Sequence, residues 1–109
     1  MNNKQQTIKR SKSGDGLEEA MDLLTGKWTM TIINKLMGGK MRFKELERSI
    51  EGINGRMLTK TLRELEGRKI VNRKVYPTIP PTVEYSLTDE GMALLPVIKE
   101  LQEWAVKNM

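Results

Sequence analysis

The residues best placed to do chemistry in this chain are basic. Arg56, Thr59, Lys60 and Arg63 recur at i, i+3, i+4 and i+7, on one face of a helix. Arginine can grip guanine with two parallel hydrogen bonds, threonine can touch a thymine methyl or a phosphate, and lysine can neutralise a phosphate. Leu58, Leu62 and Leu65 take the opposite face. Asn54 is a good N-cap, and Asn54, Gly55 and the free amides of the first turn point where a phosphate could sit. A basic stripe is ordinarily no more than a solvated face. Three features weigh against that reading. The stripe contains no acidic residue, the helix follows a tight turn after another short helix, and a hairpin pattern comes directly after it. A helix-turn-helix followed by a wing fits double-stranded DNA, with the second helix in the major groove and the hairpin along the phosphates.

Other basic residues support the same picture more weakly. Arg73 and Lys74 lie on the first wing strand, where they could reach flanking backbone or the minor groove. Lys40, Arg42 and Lys44, near the start of the third helix, could hold phosphate on the other side. The rival use of the same architecture is a winged-helix protein-protein interaction module without specific DNA binding, its basic stripe meeting an acidic partner. The polar, basic character of the groove-facing stripe favours DNA.

The chemistry of an enzyme is missing. There is no histidine and no cysteine. Ser11, Ser13, Ser49 and Ser86 have no evident base, and no glycine-rich phosphate loop follows a strand. Asp15, Glu18, Glu19 and Asp22 read as a solvated helix face rather than a metal site, and no cofactor is called for. Without cysteine there is no disulfide framework and no thiol switch.

The elements that would position the stripe can be traced along the chain. Residues 1–16 are polar and carry Lys4, Lys9, Arg10 and Lys12, so a flexible basic N-terminal tail is expected, with one domain over 17–109. Leu17, Ala20, Met21 and Leu24 mark one face of a first helix, which Gly26 interrupts. Trp28, Ile32, Ile33 and Leu36 mark a second helix, stopped by Gly38-Gly39. Lys40-Met41-Arg42 is a short connection with room for a small extra strand. Phe43, Leu46 and Ile50 give a third helix, and Glu51-Gly52-Ile53 a turn into the fourth. Val71, Val75, Val83, Tyr85 and Leu87 alternate with polar residues around a tip holding Pro77, Pro80 and Pro81, an antiparallel hairpin with one buried face. Thr88 caps the last helical segment, and Pro96 lies too deep in it for a straight helix. The fold expected is mainly α with a small β-hairpin.

Length and charge agree. At 109 residues the chain suits one small core. Nineteen Lys and Arg against fourteen Asp and Glu leave a net charge of +5, which points to a polyanionic partner. No apolar run approaches a membrane span, and the N-terminus lacks a secretory h-region, so a cytoplasmic protein is expected. The last segment is apolar on more than one side, through Leu94, Leu95, Val97, Ile98, Leu101, Trp104 and Ala105. So wide a stripe exceeds what a small monomer can cover and marks a partner surface.

Four stretches resemble one family. They are LLTGKWTMTIINKL at 23–36, MRFKELERSI at 41–50, GINGRMLTKTLRELE at 52–66 and VYPTIPPTVEYSLTDEGMALLPVI at 75–98. Together they resemble HxlR-type regulators, winged-helix transcription factors related to MarR proteins. The resemblance implies a homodimer on an imperfect palindrome, usually repressing a nearby gene. It implies a recognition helix at Asn54–Glu66 and a wing at Arg73–Glu84. It also implies dimerisation through the first and C-terminal helices, with Leu17, Met21, Leu24, Leu94, Ile98, Leu101 and Trp104 at the interface. One departure stands out. Many family members carry Cys-Pro just before the first helix and sense oxidants there, whereas this chain has Asp15-Gly16. Any signal must then be a small ligand, a partner protein or protein abundance. Trp28, Met30, Met37, Met92 and Trp104 are the residues from which an apolar effector pocket near the dimer interface could be made.

Overall fold

The computed structural model describes residues 15–109, and the expected tail therefore lies outside the described residues except for Asp15 and Gly16. The elements run α1 (Leu17–Leu24), α2 (Thr29–Lys35), a 3-10 turn (Leu36–Gly38), β1 (Met41–Arg42), α3 (Phe43–Ser49), α4 (Gly55–Gly67), β2 (Val71–Tyr76), β3 (Thr82–Leu87), α5 (Asp89–Met92) and α6 (Leu95–Asn108). This is the expected winged helix, and Met41–Arg42 does form the extra strand. The sheet is antiparallel in the order β1-β3-β2, with Met41 opposite Tyr85 and Arg42 opposite Glu84.

Local chemistry explains the boundaries. The Arg42 amide donates to Glu45 Oε1 at 2.7 Å, which satisfies a free donor at the start of α3. Asn54 Oδ1 accepts from the Met57 amide at 2.9 Å and starts α4 as an N-cap should. After α4 the chain turns through Lys69, which has a φ of 63°, and the Ile70 amide returns to the Leu65 carbonyl at 2.9 Å. Thr88 caps α5 by accepting from the Gly91 amide at 3.0 Å, while its own hydroxyl donates to the Lys69 carbonyl at 2.7 Å. One threonine thus caps a helix and ties the end of the wing to the end of α4. Gly91 is obligatory there, because a Cβ would run into the Ile70 carbonyl. The final helical segment is divided as Pro96 demands. The chain breaks between Met92 and Leu95, and the proline sits in the first turn of α6, where its missing amide costs nothing.

The core gathers from α2, α3, α4, β2, β3 and α6, and Leu23 and Leu24 of α1 pack against it. Ile32, Ile33, Leu46, Leu58, Leu62 and Leu65 are almost entirely buried, with Val71, Tyr85 and Ile98 beside them. All three leucines of the α4 stripe are therefore spent on the core, which fixes the direction in which the basic stripe faces. Within the buried helix face Thr61 donates its hydroxyl to the Met57 carbonyl at 2.9 Å, so it adds no unpaired polar group. Among the described residues, no helix is long and apolar enough to cross a membrane, and no acidic group is arranged to hold a metal ion.

Candidate nucleic-acid interface

The outer side of α4 is the predicted stripe. Arg56, Lys60 and Arg63 are exposed and Thr59 is half-buried. They border a shallow groove of about 500 Å³ together with Gly55 and Glu64. The stripe itself is free of acid, as the spacing implied, but Glu64 stands along its edge.

The wing sorts its two basic residues onto opposite faces. Strand register places Val71 opposite Leu87, Arg73 opposite Tyr85 and Val75 opposite Val83. Cross-strand partners share a face, so Arg73 lies on the side of the sheet that holds the buried Val71 and Tyr85. There it borders a cleft of about 470 Å³ between α4 and the sheet, facing Thr59, Arg63 and Glu66 across from Val83 and Tyr85, with Phe43 alongside. Lys74 is on the outer face, opposite Glu84, with its Nζ 5.0 Å from the centroid of the Tyr76 ring. The wing tip is held by its own side chains. Thr78 Oγ1 donates to the Pro80 carbonyl at 2.7 Å and lies 2.8 Å from Thr82 Oγ1.

The structure therefore brings Thr59, Arg63 and Arg73 into one cleft and leaves Lys74 outside it. It also qualifies the third basic group. Lys40 Nζ pairs with Glu84 Oε1 at 3.8 Å, and Lys44 Nζ with Glu47 Oε1 at 4.0 Å, so each carries a neighbouring acid, while Arg42 is exposed. Sequence reasoning missed Tyr85 and Phe43 as cleft residues, reading them only as apolar markers. The usable signal was the shared parity of Arg73 and Tyr85, which becomes visible once the hairpin register is known.

The proposed dimer residues also separate. Leu17, Met21, Leu101 and Trp104 are exposed, the last two at 49% and 57%. Leu24 and Leu94 are half-buried against the core. Ile98 must be corrected: at 4% exposure it is a core residue of its own chain. Its place on α6 turns it inward, and exposed Val97 widens the outer apolar face instead. The five residues considered for an effector pocket do not converge. Met37 borders an apolar cleft with Asn34, Leu95, Pro96, Lys99 and Gln102. Trp28 and Met30 pack on the core, and Met92 and Trp104 are exposed. One further contact joins α1 to the end of α4. Arg68, just beyond α4, donates to Asp22 Oδ2 of α1 at 2.8 Å.

The profile of the HxlR-like helix-turn-helix family matches residues 23–109. The chain belongs to that family. An uncharacterized HTH-type transcriptional regulator of Halalkalibacterium halodurans is 51% identical over 89 residues, covering 81% of this chain and 79% of its own length. A protein of Porphyromonas gingivalis W83, described as a transcriptional regulator of the MarR family, has a similar structure. Its TM-score is 0.84 at 37% identity, over 94% of this chain and 100% of the other. The reduced form of the transcriptional regulator YodB from B. subtilis superposes with a TM-score of 0.78 at 42% identity, over 86% of this chain and 92% of YodB. YodB has also been solved bound to a quinone and after diamide treatment. As an HxlR-like protein the chain is a helix-turn-helix transcriptional regulator, not an enzyme.

Proposed function

We propose that this HxlR-like protein binds a palindromic operator as a homodimer and represses a nearby gene from the cytoplasm. The observation that carries the reading is the outer face of α4. Its leucines are buried, and the stripe opposite them is exposed Arg56, Lys60 and Arg63 with half-buried Thr59, flanked by exposed Glu64 and Glu66. In the major groove the arginines are suited to guanine edges and Lys60 to phosphate, while Asn54 and the Gly55 amide lie at the helix end that attracts phosphate. The wing lies along the flanking backbone, with Arg73 facing the groove side and Lys74 the outer side. Arg42 and Lys44 serve the opposite flank. The domain spans 17–109, and residues 1–16 form a basic tail.

Dimerisation through α1 and α6 would place two α4 helices on successive half-sites, as a two-fold protein requires of a two-fold operator. The Asp22–Arg68 contact ties the first helix to the end of the recognition helix, so the two half-sites would be held at a set spacing. The deciding experiment is a mobility shift with the DNA upstream of the protein's own gene, at stated salt and against a scrambled competitor of equal length. Retardation that survives the competitor is the expected result. Equal retardation of both fragments would remove the claim of sequence specificity.

A further inference from the structure

The tip of the wing is ill suited to phosphate. From Pro77 to Thr82 it carries no charged residue, and its three prolines have no amide to donate. The Thr78 amide already donates to the Tyr76 carbonyl at 2.8 Å. The Thr78 hydroxyl donates to the Pro80 carbonyl at 2.7 Å, so Thr82, whose hydroxyl lies 2.8 Å away, is the donor of that second pair. Both hydroxyl protons are therefore engaged within the tip. What the tip presents is apolar. Ile79 is 100% exposed, and Pro77, Pro80 and Pro81 are exposed around it. A lone exposed aliphatic residue is ordinary. Here an apolar knob is stiffened by prolines and tied by two threonines at the end of a hairpin, so little freedom is lost when it seats.

The rest of the wing indicates what it seats in. Arg73 and Lys74 are exposed on β2, and neither forms an ion pair among the described residues. The strand behind the knob is thus drawn to a polyanion. Val71, at the root of the wing, is buried in the core with the leucines of α4. Six residues of strand reach about 20 Å. The minor groove lies about 17 Å, half a helical turn, from the major groove in which α4 is placed.

We propose that Ile79 seats in the minor groove beside each half-site and selects against a G·C pair there. This rests on the operator binding proposed above and goes beyond it, since it makes a side chain with no hydrogen bond to give a determinant of sequence. In the minor groove every base pair shows acceptors, and a G·C pair adds the 2-amino group of guanine. Apolar side chains can enter that groove and pack on its floor. Beneath Ile79 the amino group stands in the way, and it loses its water without gaining an acceptor. A pair without the amino group leaves room for the side chain.

The test first locates the tip and then changes the groove beneath it. The chain has no cysteine, so an iron chelate attached through Ile79→Cys is carried at that position alone. Cleavage of the bound operator should fall in the minor groove outside each half-site, and its absence there overturns the proposal. At the base pair so found, duplexes carrying A·T, G·C, inosine·C and 2,6-diaminopurine·T are compared by anisotropy at fixed salt. Inosine removes the 2-amino group while keeping the major-groove edge of guanine, and diaminopurine adds the group to adenine. Wild-type protein should bind the two pairs that carry the amino group about tenfold more weakly than the two that lack it. Ile79→Ala should bind all of them within about twofold of one another, with its melting temperature unchanged because the side chain is fully exposed. Discrimination that persists in Ile79→Ala assigns the preference to groove shape and overturns the role of the side chain. Discrimination that groups inosine·C with G·C reports major-groove reading and overturns it too. A shift of Ile79→Ala from dimer to monomer in sedimentation would make the tip a contact between copies instead. Equal binding of every duplex by the wild type sinks this proposal alone. A wild type that prefers its operator to scrambled DNA by nothing at all fails the operator reading, and this proposal falls with it.

Discussion

Helices α4 and α6 present opposite solutions to the same problem. Each buries one face in the core, through Leu58, Leu62 and Leu65 on α4 and through Ile98 on α6. Their outer faces then diverge. On α4 the remainder is Arg56, Lys60 and Arg63, comfortable in water and matched to a polyanion. On α6 it includes an apolar strip of Val97, Leu101 and Trp104, each about half exposed, which water does not reward, beside exposed Lys99, Glu100, Gln102, Glu103 and Lys107. A helix whose outer face is charged can stand alone and wait for a charged partner. A helix whose outer face is apolar is incomplete without a second surface. The comparison teaches that partner type can be read from what a helix has left over after the core is made.

The comparison can be broken at its shared base first. Leu62→Ala should cost about 2–5 kcal/mol in denaturant unfolding, because the side chain is 1% exposed and leaves a cavity. Leu101→Ala, half exposed in the single chain, should cost far less when measured on protein diluted until it sediments as a monomer. Equal losses would mean that the two positions are not in different environments.

The next test separates the outer faces. Leu101→Asp should take the sedimenting species from about twice the chain mass to 12.5 kDa at micromolar concentration. Operator affinity should fall with it, because each half-site alone is weak. A wild-type protein that already sediments as a monomer would remove α6 from the dimer proposal. Trp104→Ala should act in the same direction, more mildly.

A smaller effect sharpens the α4 side. Truncating Arg56 or Arg63 to alanine should cost roughly 1–3 kcal/mol of operator binding and relax preference at one base pair. Lys60→Ala should instead weaken all sequences alike and lower the salt slope by about one. If a quadruple alanine variant of Arg56, Thr59, Lys60 and Arg63 stays folded and keeps full affinity, α4 is not the reading helix.

The smallest expected effect is none. The chain has no cysteine, so diamide has no thiol to oxidise on either surface. Anisotropy at fixed salt should show operator affinity unchanged by mild diamide. Release at low dose from a folded protein would reveal a sensor outside the chemistry described. The eight methionines are poor candidates, since their oxidation disturbs packing rather than switching a site.

Much of this protein was legible without coordinates. Period-3.6 spacing located α1, α2 and α4, period-2 spacing located the wing, and Asn54, Thr88 and Pro96 marked boundaries that the structure respects. These signals are local, because caps, breaks and amphipathic faces depend on residues within a few positions of one another. The basic stripe was legible for the same reason. What tertiary structure alone decided is where those faces point. Ile98 belongs to a run that looks uniformly apolar, and only packing against the core shows it turned inward while Val97 and Leu101 face out. Arg73 and Lys74 are neighbours with the same charge, and only the pairing of Arg73 with Tyr85 sends one into the α4 cleft and the other to the far face. Tyr85 looked like one more apolar strand residue until Phe43, Arg63 and Arg73, distant in sequence, closed around it. Local patterns determine the elements, but a cleft is made by residues brought together from four of them, and no spacing along a chain encodes that meeting.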